Sequence, residues 1–178
     1  MKESLTEAGI QLLKQLIARP SFSREERETA DLLESSLGDH GVKSSRLGNN
    51  VWAKNFFFDP SKPTILLNSH HDTVKPNPGY TRNPFLPEVS DGKLFGLGSN
   101  DAGGCLVSLI ATFLYFYRRE GLRYNLILAA TAEEEISGTG GIEMLLPHLG
   151  ALEFAIVGEP TEMHLAIAPS LLGRGEAL

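Results

Sequence analysis

The chain has 178 residues, 42% hydrophobic and 21% charged, with a formal net charge of −6. That length suits one domain with a sizeable core, and the acidic balance without a basic cluster argues against a nucleic-acid groove. One cysteine leaves no internal disulfide, no apolar run approaches the ~20 residues of a membrane span, and acids stand where a secretory leader would begin its apolar region. The expectation is a cytoplasmic protein with no membrane or nucleic-acid partner.

Glu3 to Ala18 carries apolar residues at mostly helical spacing, which predicts an amphipathic helix ended by Pro20. Ser23 followed by Glu26 is a capping-box pattern opening a second helix that runs to about Gly38 or Gly41. Ser44–Asn49 and Val51–Phe58 read as two strands around Gly48-Asn49-Asn50, a hairpin-like turn, with Trp52, Phe56, Phe57 and Phe58 as core or edge packing. Thr64–Ser69 is a short apolar run after Pro63, the pattern of a strand buried on both faces.

The segment 75–98 is rich in Pro and Gly, and Lys93-Leu94-Phe95-Gly96 within it reads as a short strand. Asp101 to about Glu120 has a wide apolar face and is the strongest helix signal, stopped by Gly121. Cys105 within it reads as a structural thiol. Tyr124–Thr131 is a second buried strand, Thr139–Leu149 a helix, Phe154–Val157 a third buried strand, and His164–Ala168 a fourth strand. Alternating strands and helices imply an α/β fold in three layers, a mainly parallel sheet with helices on both faces.

Three of those strands end in chemistry. The first runs into His70-His71-Asp72, the second into Glu133-Glu134-Glu135, the third into Gly158-Glu159, and Asp101 opens the long helix. In an open parallel sheet, ligands gather at the carboxyl ends of strands. Packed carboxylates raise one another's pKa and cost stability unless a cation lies among them. His with several carboxylates suits zinc or a similar first-row ion, and two ions can share a bridging carboxylate. Of the adjacent Glu134 and Glu135, one can ligate while the other serves as general base. Each group also has a plain structural reading: Asp101 as a helix cap, the Glu run as a solvated loop, Glu159 as a turn residue before Pro160. His40, His148 and His164 stand alone and read as surface or packing residues. The glycines of Gly96-Leu97-Gly98 fall short of a dinucleotide fingerprint, which leaves a Rossmann-like nucleotide domain weakly supported.

At these motifs the chain resembles the M20 family of metallopeptidases and deacylases, and most closely its acetylornithine deacetylase branch. The resemblance rests on Ser69-His70-His71-Asp72-Thr73-Val74, Gly96-Leu97-Gly98-Ser99-Asn100-Asp101, Thr131-Ala132-Glu133-Glu134-Glu135-Ile136-Ser137-Gly138 and Val157-Gly158-Glu159-Pro160-Thr161, in order from about Leu5 to Ala168. It implies a zinc-exopeptidase-like catalytic domain, present in part, that holds two divalent metals, zinc or alternatively cobalt. By resemblance, His70 and Glu159 bind one metal and Glu135 the other. Asp101 bridges both, Asp72 orients His70, and Glu134 activates water. The implied substrate is an N-acyl amino acid, hydrolysed at its amide as in arginine biosynthesis. His71 takes no role.

Family members are about twice as long, pair through an inserted lid or dimerisation domain, and bring a further His ligand after it. The resemblance therefore implies that residues 1–168 are the amino-terminal part of the catalytic domain and 169–178 a divergent or truncated tail. The lid domain, and with it the surface for a homodimer, would be absent, and the isolated chain would be weakly active or inactive. A non-catalytic α/β interaction module that retains the motifs is the alternative.

Overall fold

A computed structural model describes residues 4–162 and 164. The helix α1 spans Leu5–Ile17 and starts on Ser4, whose hydroxyl accepts from the Glu7 N–H while the Glu7 side chain bonds back to Ser4. The helix α2, Arg27–Asp39, is capped differently from the expectation. Its N-cap is Glu26 and no side chain bonds the first turn. Ser23 and Glu26 do not form a capping box because each is taken by a distant partner, described below.

A hairpin follows, β1 (Ser44–Leu47) and β2 (Asn50–Lys54), turning at Gly48-Asn49. The second strand stops short of Phe56 and Phe57, which are both exposed. Strand β3 is Thr64–His70. The long loop holds a small hairpin, β4 (Glu88–Ser90) with β5 (Lys93–Phe95); only the second of these two strands is predicted from the sequence. A wide irregular turn, Ser99–Gly104, leads into α3, Cys105–Phe116, so the helix starts later than Asp101. Strand β6 is Asn125–Thr131, α4 is Ile142–Leu149, and β7 is Phe154–Val157. The predicted fourth strand and the tail fall on residues outside those described.

The main sheet has the order β1-β2-β6-β3-β7. Its central part is parallel, β6 to β3 and β3 to β7, while the β1–β2 hairpin joins β6 antiparallel, which makes the sheet mixed. Side chains alternate across it. Leu67, Leu128 and Ala130 face α1, α2 and α3, packing with Leu13, Leu33, Leu106 and Phe113. Leu66, Ile127 and Ala129 face α4 through Leu145 and Leu149. Helices thus cover both faces, giving the three layers of the predicted α/β class.

The expectation of a third buried strand is corrected. Among the described residues β7 has only β3 as a hydrogen-bonded neighbour, and Phe154, Ile156 and Val157 are 46%, 47% and 56% exposed. The register that matters for chemistry is His70 opposite Thr131 and Asn68 opposite Val157. It brings the residues following β3, β6 and β7 out on one edge of the sheet.

Candidate metal centre

His70 is the last residue of β3 and is 1% exposed. Its Nδ1 lies 3.0 Å from the Asp72 carbonyl oxygen and 3.3 Å from Asp72 Oδ1. Both neighbours only accept, so Nδ1 carries the proton and Nε2 is left facing outward. Nε2 faces three carboxylates: Asp101 Oδ1 at 3.2 Å, Glu134 Oε2 at 3.7 Å and Glu159 Oε2 at 3.7 Å. A bare imidazole lone pair against carboxylates is repulsive. The arrangement calls for a positive charge on or beside Nε2, a proton or a metal cation.

The protonation tendencies follow from these contacts. Burial alone would lower the pKa of His70, but the Asp72 hydrogen bond and the charges of Asp72, Glu159 and Glu134 outweigh it and raise it to about 9. Burial would raise the Asp72 carboxyl, yet its bonds from His70, the Ser23 hydroxyl and the Glu134 N–H hold it below the usual range. Glu135 is pushed up by burial first and then by Asp101. Glu159 is also pushed up, by burial and by Glu134, Asp101 and Glu135, against the pull of His70. Carboxylates crowded until they resist ionisation are a donor set that a divalent cation relieves.

Ligand atoms of His70, Asp101 and Glu159 all lie within 4.8 Å of one another. These three could hold one metal. Asp101 has extended rather than helical dihedrals, φ −108° and ψ 103°, so it is not the cap of α3. It stands in the turn after Gly98, which is left-handed at φ +75° and packs so closely on the Thr73 methyl that a side chain there would collide. Glu159 follows β7 at one remove, fixed by Gly158 N–H to Asn68 O at 2.8 Å and Ser69 Oγ to Gly158 O at 2.8 Å.

The glutamate run is a tight turn, not a solvated loop. Glu133 is left-handed (φ 55°), and Glu134–Ile136 form one 3₁₀ turn closed by a left-handed Ser137. Two non-glycine residues in that region store strain of about 1–3 kcal/mol each. Outside bonds hold the turn: Asp72 Oδ1 accepts the Glu134 N–H at 3.1 Å and Asp72 Oδ2 the Glu135 N–H at 3.2 Å. The Glu133 side chain folds back into its own loop, bonded to the Gly140 N–H at 3.3 Å and near Arg24 at 3.7 Å. Gly138 and Gly140 wall it so closely that a Cβ on either would strike its carboxylate.

Of the sequence-predicted residues, His70, Asp72, Asp101, Glu134 and Glu159 come into direct contact. Glu135 joins them through its backbone bond to Asp72 and its electrostatic coupling to Asp101. His71 points the other way: buried, its pKa lowered first by that burial, it bonds Asn49 O through Nε2 and Thr29 Oγ1 through Nδ1, each at 2.9 Å. His40, His148 and His164 are exposed, as expected of isolated histidines. Cys105 is half-buried at the start of α3, and burial raises its thiol pKa, which suits an unreactive role. Sequence reasoning missed Ser23, whose hydroxyl donates to Asp72 Oδ2 at 2.7 Å. Its one signal, the Ser-x-x-Glu pattern, points to a local cap and carries no information about a partner 49 residues away.

The geometry matches known proteins. The chain is 31% identical over 176 residues to a succinyl-diaminopimelate desuccinylase of Verminephrobacter eiseniae, covering 85% of this chain and 44% of the relative. It is 28% identical over 169 residues to a protein of the same name from Delftia acidovorans, covering 86% and 44%. The chain therefore spans less than half the length of these curated relatives, and the relatives bear the name desuccinylase rather than acetylornithine deacetylase. In fold it resembles an M20 family metallo-carboxypeptidase of Sulfolobus solfataricus, with TM-score 0.69, 23% identity, and 84% of this chain and 37% of that one covered. It also resembles a Bacillus subtilis YXEP protein described as a dinuclear metal binding peptidase, with TM-score 0.64, 21% identity, and 84% and 41% covered. The family model for peptidase family M20/M25/M40 matches residues 66–171, more than half of the sequence and the run that holds His70, Asp101, Glu134, Glu135 and Glu159, so the chain belongs to that family.

Proposed function

We propose that the chain is the amino-terminal part of a catalytic domain, about residues 1–168, in a hydrolase that cleaves the amide of an N-acyl amino acid with two divalent metals, zinc being the first choice. The observation that carries this reading is His70 Nε2, its proton forced onto the opposite nitrogen by Asp72, facing Asp101, Glu134 and Glu159 within 3.7 Å. His70 and Glu159 would hold one cation, Asp101 would bridge, and Glu135 would serve the second. Such cations supply Lewis-acid charge that acidifies water and polarises an amide carbonyl.

The chain's own groups supply the rest. Asp72 fixes the His70 ring and, through its bonds to two backbone amides, the Glu134–Glu135 pair. Glu134, with its side chain 53% exposed, is free to take a proton from attacking water and return it to the leaving amine. The names of the relatives favour a succinyl over an acetyl group, which makes N-succinyl-diaminopimelate the first substrate to try and N-acetylornithine the second.

The test is zinc titration of the chain by calorimetry together with hydrolysis of both substrates. Zinc is expected to bind and to be lost from the His70→Ala, Asp101→Ala double variant. Any turnover should fall about 100-fold or more in Glu134→Gln with zinc retained. A chain that binds no zinc would support the non-catalytic module instead.

A further inference from the structure

Asp72 takes the N–H groups of Glu134 and Glu135, but that of Glu133 goes elsewhere, to Glu26 Oε1 at 3.2 Å across 107 residues of sequence. Glu26 is 0% exposed. The same oxygen accepts the Arg24 N–H at 2.6 Å, and Oε2 accepts from Asn49 Nδ2 at 2.8 Å. Among the described residues no Lys or Arg side chain forms an ion pair with Glu26. A buried carboxylate is costly unless its oxygens are bonded, and here those bonds come from a turn it does not belong to.

The anchor is itself braced. Thr29 Oγ1 contacts both Glu26 O and His71 Nδ1 at 2.9 Å, His71 Nε2 donates to Asn49 O at 2.9 Å, and Asn49 Nδ2 closes the ring on Glu26. This ring ties Glu26 to the strand end that carries His70 and Asp72, and gives the otherwise unassigned His71 a place. Three consecutive amides of the turn therefore end on two buried carboxylates of fixed separation.

We propose that Glu26 is a positioning residue: by holding the Glu133 N–H it keeps Glu133 left-handed and so turns the Glu134 and Glu135 carboxylates toward His70. The inference deepens the hydrolase reading and rests on it for its consequence, though not for the anchoring itself.

The test is amide hydrogen exchange on the full chain, read residue by residue by NMR, beside zinc titration. Glu26→Ala is expected to speed exchange at Glu133, Glu134 and Glu135 about tenfold or more and to weaken zinc binding about tenfold. Leu37→Ala, which opens the core of α2 without touching the turn, should do neither. Glu26→Gln keeps the shape with a weaker acceptor and should speed exchange at Glu133 several-fold. If the alanine variant does not fold, the glutamine variant decides, and parent-like exchange at Glu133 overturns the proposal. Exchange that rises evenly through β3 and β6, or zinc affinity that follows stability in Leu37→Ala as well, also overturns it. Absence of zinc from the parent chain would remove the hydrolase reading, while the exchange pattern would still decide whether Glu26 holds the turn.

Discussion

The end of β3 and the turn after β6 lie side by side and are built on opposite terms. At His70 the backbone is still a strand, paired with Thr131 of β6, and the residue is buried. At Glu133–Ser137 the backbone has left the sheet, enters left-handed conformation twice, and donates its N–H bonds to Asp72 just after β3 and Glu26 at the N-cap of α2. The contrast teaches how a fold can set one rigid imidazole against more mobile acids. The imidazole is locked by regular structure, and the acids are set on a strained turn that other residues must restrain.

Three expected outcomes sharpen or break that contrast. Asp72→Ala strikes both regions at once, because this fully buried carboxylate bonds His70, Ser23, Glu134 and Glu135. A loss of roughly 3–5 kcal/mol is expected in chemical denaturation, since the buried His70 loses its counter-charge and the Ser23 hydroxyl and two backbone amides lose their acceptor together. A loss under about 1 kcal/mol, the range of ordinary surface substitutions, would show that the two regions do not depend on it. Gly140→Ala strikes the turn alone by driving a Cβ into the Glu133 carboxylate. It should cost about 1–3 kcal/mol as an overpacked site and speed amide exchange at Glu133–Glu135, with His70 and β3 unaffected. Equal disturbance in β3 would mean that the turn and the strand end are a single unit.

The smallest effect expected is a pH dependence confined to His70. Its folded pKa of about 9 lies above the value of roughly 6.5 expected in the unfolded chain. The charged ring therefore stabilises chelator-treated protein fully below pH 6.5, and that contribution disappears as pH rises through 9. Thermal melts should show lower stability at pH 9.5 than at pH 7, and His70→Gln should flatten that slope. Zinc binding should run the other way, tightening as pH rises toward 9 because the metal displaces the proton from Nε2. Zinc affinity indifferent to pH over that interval would place the metal away from His70.

Much of the architecture is legible in the residues, for reasons the structure makes plain. Apolar runs such as Ile65-Leu66-Leu67 and Leu126-Ile127-Leu128 read as strands covered on two faces, and they are. β7 carries a similar run but, among the described residues, lies at the sheet's edge, because strand order depends on which segments pair rather than on how apolar each one is. Likewise, Ser23 and Glu26 satisfy a local capping pattern, yet both side chains are drawn away by distant partners.

The sequence by itself determined which imidazole and carboxylate side chains leave the sheet at strand ends, since type and spacing are local properties that repeat with the backbone's own period. Only the tertiary structure decided which nitrogen of His70 faces the acids, that His71 turns inward, and that Glu26 reaches across the fold to the glutamate turn. Those outcomes depend on contacts between residues 22 to 107 positions apart, and a contact of that span comes into being only when packing brings its two ends together.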